Sequence, residues 1–233
     1  MEQVPYILGV AISSSLILII IITWIIFWIR KNLKENEITK KGKMTEMAIN
    51  EKLTLWANIN DALYVPSCMY KYAKNKIFEV DGILLTTRAL ICVEVKNINA
   101  KKIYGLGNEK EWVKELGQNK HMIKSPIMQN DKHIEHIVKM TDIKMPTISL
   151  IVFDSVSCND IEINNIPNHV VIAKSNELNQ ILEGIMSTLI PKISKSEIEK
   201  MYEKLKEHQT TSKKDKELLH SFSKEYNEKT FTI

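Results

Sequence analysis

Cysteine is scarce in this 233-residue chain: Cys68, Cys92 and Cys158 are odd in number, widely spaced and never arranged as C-x-x-C. That pattern gives no zinc site and fits reduced thiols in the cytoplasm. Cys92 lies in an apolar run and reads as a small core residue. Arginine is scarcer still, since all but Arg30 and Arg88 of the 32 basic residues are lysine, and the net charge is only +4. Such a balance is compatible with nucleic acid without arguing for it. Glycine-rich phosphate loops are missing as well. Gly105-Leu106-Gly107 lacks the later glycine of a dinucleotide fingerprint and reads as part of a turn. No internal repeat or long low-complexity tract interrupts the chain.

What the chain has instead is one long apolar run. From Tyr6 to Ile29 there are 24 residues without a formal charge, and 15 of them are Ile, Leu, Val or Phe. As a helix this run would extend roughly 36 Å, more than the ~30 Å of bilayer hydrocarbon. At about −0.3 to −0.6 kcal/mol per residue, the fifteen favour insertion by roughly 5–9 kcal/mol. The run ends in Trp24, Phe27, Trp28 and Ile29 rather than at a small-x-small cleavage site, so an uncleaved anchor is expected over residues 1–29. Arg30, Lys31, Lys34, Lys40, Lys41 and Lys43 follow it, and no Lys or Arg precedes it. The positive-inside bias then sets the amino terminus outside and the remainder in the cytoplasm, as a single-pass protein of the cell membrane. Residues 30–43 read as a basic juxtamembrane linker that is also able to meet anionic headgroups.

The rest of the chain has ordinary globular composition, with 44% hydrophobic and 26% charged residues overall, enough for one domain and a small appendage. Residues 44–57 read as a helix with a wide apolar surface (Met44, Ala48, Ile49, Leu53, Leu55 and Trp56), leaving Glu46 and Asn50 on the remaining side. Short extended runs follow at Ala62 to Val65, Ile77 to Thr86 and Ala89 to Asn97, the last two joined tightly through Thr87-Arg88. Lys102 to Tyr104 and Glu111 to Leu116 suggest two more strands. Ser125-Pro126 opens a helix that runs through about Thr141. Thr147 to Phe153 and His169 to Ala173 are buried-type strands, and Asn176 to Leu189 is helical. This order predicts an α/β layout around one mixed sheet over residues 44–190. Beyond Pro191, Ser194-x-x-Glu197 is a capping box, and a second helix is expected from Ser212 to Tyr226. The segment 191–233 thus reads as a C-terminal helical hairpin, covering the core or docking a protein partner.

The chemistry concentrates in Phe78-Glu79-Val80-Asp81-Gly82 and Ile91-Cys92-Val93-Glu94-Val95-Lys96. Strand alternation puts Glu94 and Lys96 on one face, and the antiparallel pairing brings Asp81 to the same end. Two close carboxylates repel unless a cation separates them, and a hard divalent ion such as Mg²⁺ suits oxygen ligands. Metal, carboxylates and lysine together fit phosphodiester hydrolysis. Taken alone, Glu94-x-Lys96 is also what a solvated surface pair looks like.

The ordered set Thr45-Glu46, Glu79-Val80-Asp81, Glu94-Val95-Lys96, Trp112 and Ser125-Pro126-Ile127-Met128-Gln129 resembles the nuclease-related domain (NERD) family of the PD-(D/E)xK nuclease superfamily, over roughly residues 41–140. Thr45 stands where the family has glycine, and Ser125 where it has asparagine. Neither change touches a ligand position or the lysine. The resemblance implies a restriction-endonuclease-like mixed sheet flanked by helices. It further implies that Asp81 and Glu94 bind Mg²⁺ or Mn²⁺, that Lys96 assists the attacking water, that Glu46 and Gln129 support the site, and that the substrate is nucleic acid, DNA first. Gln129, His133 and His136 share one face of their helix, facing the cleft; without a third ligand the two histidines read as surface residues. Trp112 reads as core packing more readily than as a base-stacking platform. A non-catalytic nucleic-acid- or protein-binding module on the same fold is the alternative to an active nuclease. The presence of Glu46, Asp81, Glu94 and Lys96 together favours the nuclease.

Overall fold

The computed structural model describes the backbone of residues 3–73, 76–142 and 144–230, and the side chains within it except those of 3–19, 34, 35, 38 and 222–230. The chain divides into two compact units, Met1–Met44 and Thr45–Ile233. Helix α1, Gln3–Ile59, contributes its residues to Met44 to the first and the rest to the second. Residues 30–43, expected as a linker, are therefore helical. Most of the Tyr6–Ile29 run lies outside the described side chains. Among the described residues no helix is long and apolar enough to cross a membrane.

The second unit continues with β1 (Leu63–Ala73), β2 (Lys76–Leu85), β3 (Leu90–Lys96), β4 (Ala100–Leu106), β5 (Glu111–Leu116) and β6 (Asn119–Lys124). Then come α2 (Pro126–Thr141), β7 (Thr147–Phe153), β8 (Cys158–Asn164), β9 (Val170–Lys174) and α3 (Leu178–Thr188). Helix α4 (Lys195–Glu207), β10 (Gln209–Thr210) and α5 (Lys213–Thr230) complete the chain. One sheet was expected and two are found. The larger has the order β10-β1-β2-β3-β7-β9 and the smaller β6-β5-β4-β8. In the larger sheet β1, β2 and β3 run antiparallel, while β3, β7 and β9 are parallel.

Strand alternation explains the layers. Ile91 and Val93 of β3 pack with Ile49, Leu53 and Trp56 of α1 and with Leu178 and Leu182 of α3. Leu90 and Cys92 face the other way, onto Ile134 and Ile137 of α2 and Ile198 and Leu205 of α4. Helices thus cover both faces, as a buried sheet with parallel strands requires. Ile103, Trp112, Ile127 and Phe153 form a third cluster, which gathers side chains of both sheets. Trp112 is fully buried, stacks near Phe153 and donates from its indole N–H to Leu106 O at 2.9 Å, so packing is its role. Gly105 belongs to β4 rather than to a turn. A Cβ there would lie 2.6 Å from Trp112 Cδ1, and only glycine lets the indole close over the strand.

The core does not end at Pro191. Helix α4 has the predicted capping box between Ser194 and Glu197, and it buries Ile198 and Leu205 beside α2. β10 then pairs Gln209 with Tyr70 and Thr210 with Met69, adding a short strand to the sheet. The apolar stripe of α4 is thereby used inside the unit and is not left for a protein partner. On α5, Phe222 and Tyr226 lie outside the described side chains.

Candidate active site

The site forms where β2 and β3 part. Their paired residues run from Leu85 with Leu90 to Gly82 with Val93. Past that point Val95 N–H donates to Asp81 Oδ2 at 2.7 Å, so a carboxylate takes a backbone donor that the ladder no longer reaches. β2 also changes the parity of its buried face there: Phe78 and Val80 before the bend and Ile83 and Leu85 after it pack in the same cluster. Within this stretch Gly82 lets the Tyr64 ring close against the strand, since a Cβ would fall 2.9 Å from the ring carbon that bears the hydroxyl. The Tyr64 hydroxyl in turn donates to Asn50 Oδ1 of α1.

Glu94 and Lys96 continue the side of β3 that carries Leu90 and Cys92, so both face α2. Glu94 is 1% exposed and pairs with the Lys96 ammonium. Lys96 also donates to Gln129 Oε1 at 3.0 Å. Helix α2 is held over the strand by Asn130, whose Nδ2 donates to Cys92 O at 2.8 Å and to Ser149 Oγ at 3.0 Å. Pro126 starts the helix, while the hydroxyl of Ser125 makes no cap bond; its backbone N–H goes to Lys110 O at 2.8 Å. Glu46 is partly buried on α1, close enough that its charge acts on both Asp81 and Glu94. Next to it Thr45 Oγ1 accepts from Asn97 Nδ2 at 2.7 Å, tying α1 to the residue after β3. All five expected site residues, Glu46, Asp81, Glu94, Lys96 and Gln129, thus converge on one end of the strand pair.

Burial and like charge dominate the electrostatics. The Asp81 carboxyl is pushed up to about 8, first by desolvation and then by Glu94, with Val95 N–H and Lys96 pulling the other way. Burial also raises Glu94, against the pull of Lys96. His133 is held at about 4, by desolvation first and then by the Lys96 and His136 charges, so its ring is neutral at pH 7. Its Nδ1 lies 3.5 Å from Glu94 Oε2, an approach in which both atoms still lack a hydrogen-bond partner among the described residues. His133 is 12% exposed and packs near Phe78; it lies on the cleft face that its spacing with Gln129 suggested and is not the surface residue that the lack of a third ligand suggested. Neither it nor Asn130 was assigned a site role from sequence. For Asn130 the available signal was its place beside Gln129, between Ile127 and Ile134 on the buried stripe.

The donor set suits a hard cation. Two carboxylates with raised affinity for a proton, one keeping a buried oxygen without a partner, are the state that a divalent ion relieves. Among the described residues no group of three His, Cys, Asp or Glu side chains is gathered to cage a metal. An ion such as Mg²⁺ keeps several waters and uses one or two carboxylates, and Asp81 with Glu94 match that requirement.

Residues 41–154 match the family model described as nuclease-related domain. Comparisons with curated proteins and with solved structures give no match.

Proposed function

Because residues 41–154 belong to the nuclease-related domain family, we propose that this chain is a membrane-anchored, metal-dependent nuclease that hydrolyses phosphodiester bonds of DNA on the cytoplasmic side. The observation that carries the reading is the Asp81, Glu94 and Lys96 cluster, one buried and one half-buried carboxylate with an ammonium at the open end of a strand pair. Asp81 and Glu94 hold a divalent cation, Mg²⁺ or Mn²⁺, which when bound supplies Lewis-acid polarisation of the phosphoryl group and a more acidic water. Val95 N–H fixes the orientation of Asp81. Lys96, held between Glu94 and Gln129, orients the attacking water and offsets negative charge as it develops on the phosphate. Glu46 supplies a further acidic group at the mouth of the site. Neutral His133 keeps solvent from the inner oxygen of Glu94 without adding a charge.

Ile20 to Ile29 support the anchor, since Trp24, Phe27 and Trp28 are all more than half exposed on α1 and a bare apolar stretch of this size calls for a cover. Thr23 returns its hydroxyl to Ile20 O at 2.8 Å, which suits an apolar surrounding.

The test is cleavage of labelled single- and double-stranded DNA by the detergent-solubilised chain with Mg²⁺, Mn²⁺ or chelator. Asp81→Asn, Glu94→Gln and Lys96→Ala are expected to lower the rate by a hundredfold or more, on the order of a lost electrostatic stabiliser, with folding retained by circular dichroism. Metal-dependent cutting that survives Lys96→Ala removes that lysine from the mechanism. A folded, metal-loaded wild type that binds DNA and never cuts it would make this a binding module.

A further inference from the structure

From the cleft outward, aromatic and imidazole rings continue the site along α2. His133 packs against Phe78 with ring centres 6.0 Å apart, Phe78 lies 5.0 Å from His136, and His136 stacks on Tyr72 at 4.5 Å and 26°. The Tyr72 hydroxyl and His136 Nε2 are 3.2 Å apart. Gln129 to His136 covers seven residues of helix, roughly 10 Å, which is about three stacked nucleotides at ~3.4 Å each.

Three observations separate this pair from ordinary core. Tyr70 and Phe78 are buried, whereas Tyr72 and His136 at the outer end are partly exposed. Tyr72 sits at a register shift: Lys71 pairs with Ile77 and Ala73 with Lys76, and Tyr72 has no residue opposite. Such a bulge re-aims a side chain, here onto His136. The surroundings are also basic. Lys76 Nζ lies 5.9 Å from the centre of the Tyr72 ring, and the charges of Lys76, Lys132 and Lys139 all bear on His136. The acidic neighbour on the same helix, Glu135, is paired with Lys139.

We infer that Tyr72 and His136 form a stacking platform for an unpaired base of the DNA strand entering the site, with Lys76 and Lys132 meeting its phosphates, so that the site prefers single-stranded or frayed DNA. This rests on the nuclease reading of the same site. Rings accept bases only when those bases are free of a duplex stack, and lysines bind phosphate without reading sequence.

The experiment is binding of a fluorescein-labelled 12-nucleotide DNA, single-stranded or annealed to its complement, to the full chain in detergent with chelator. Wild type, Tyr72→Ala, Tyr72→Phe and His136→Ala are compared, and their unfolding midpoints are measured alongside. Tyr72→Ala is expected to weaken single-strand binding about tenfold, the scale of one lost stacking contact, and duplex binding less than twofold. Tyr72→Phe keeps a ring and stays within about twofold of wild type. The inference is overturned if wild type does not prefer the single strand, if Tyr72→Ala leaves its affinity unchanged, or if both DNA forms lose affinity equally. Plasmid cleavage with Mg²⁺ is run on the same preparations. Cutting by wild type beside a silent Tyr72→Ala sinks the platform and leaves the nuclease standing. A lost single-strand preference without any cutting sinks the nuclease and keeps the platform.

Discussion

Asp81 is where opposing effects compete. Desolvation and the neighbouring Glu94 both favour the protonated acid, and Val95 N–H with Lys96 favours the carboxylate; the first pair wins, at about 8. In the unfolded chain the same group titrates near 3.8. Between those values the folded form holds a proton that the unfolded form has released, so stability falls as pH rises through the window. His133 works in the opposite sense: held at about 4 when folded against 6.5 when free, it costs stability only below pH 6.5. Across the interval from pH 6.5 to 8 His133 makes no contribution, and Asp81 lowers stability as pH rises, in the same direction as the raised Glu94 beside it. A slope near 1.4 kcal/mol per pH unit predicts a loss of about 2 kcal/mol across that interval for the metal-free chain. Urea unfolding in chelator at pH 6.5, 7.2 and 8 measures this. Asp81→Asn should flatten the slope, and Mg²⁺ should restore stability most at the alkaline end, where it competes with fewer protons. An unchanged slope in Asp81→Asn would mean that another group titrates there.

Elements whose sequence pattern agrees with their burial were legible in advance. The run from Leu90 to Val93 is fully buried and reads as a central strand, and the isoleucines of α2 fall on its inner side. The smaller sheet was harder, because β6 and β8 carry mostly exposed residues and have no apolar face to advertise. β6 is fixed instead by its turn, where Gly117 takes a φ of +63° between Leu116 and Asn119. The extended pattern of β1 stops at Val65, before Pro66, whereas the strand continues to Ala73. Proline fits within the strand because β10 pairs only with Met69 and Tyr70, so that side of β1 has no partner strand at Pro66. The ordered motif named Glu46, Asp81, Glu94, Lys96 and Gln129 as candidates, and the structure places them at one end of the β2–β3 pair. The bulge that turns Tyr72 toward His136 and the depth of His133 depend on contacts far apart in sequence. The C-terminal segment is the clearest gap between pattern and packing: its capping box was visible, but not the place where α4 docks. Ile198 and Leu205 lie beside Tyr70, Phe78 and Ile137, and burying two such side chains is worth roughly 3–6 kcal/mol. Truncation after Pro191 is therefore expected to unfold the second unit at room temperature or lower its urea midpoint sharply. An unaltered midpoint would show that α4 and β10 are dispensable.

At the scale of the whole chain, the matched family region ends at residue 154, whereas the compact unit built around it runs from Thr45 to Ile233. β8, β9, α3, α4 and β10 complete the sheets and layers that the matched region begins, so the working unit extends well past the family match. What precedes it has a different physical logic. The apolar run favours insertion by roughly 5–9 kcal/mol, and each lysine placed at the centre of a span costs about 2.5–3.5 kcal/mol. The double substitution Ile17→Lys and Ile20→Lys thus opposes insertion by about 5–7 kcal/mol, enough to cancel most of the gain. The full chain should stay with membranes through an alkaline carbonate wash, and the doubly substituted chain should appear largely in the soluble fraction while still folding its second unit. Release of the wild-type chain by the same wash would rule out an integral anchor and leave only the lysines after residue 29 to hold the protein to an acidic lipid surface, a contact that salt reverses.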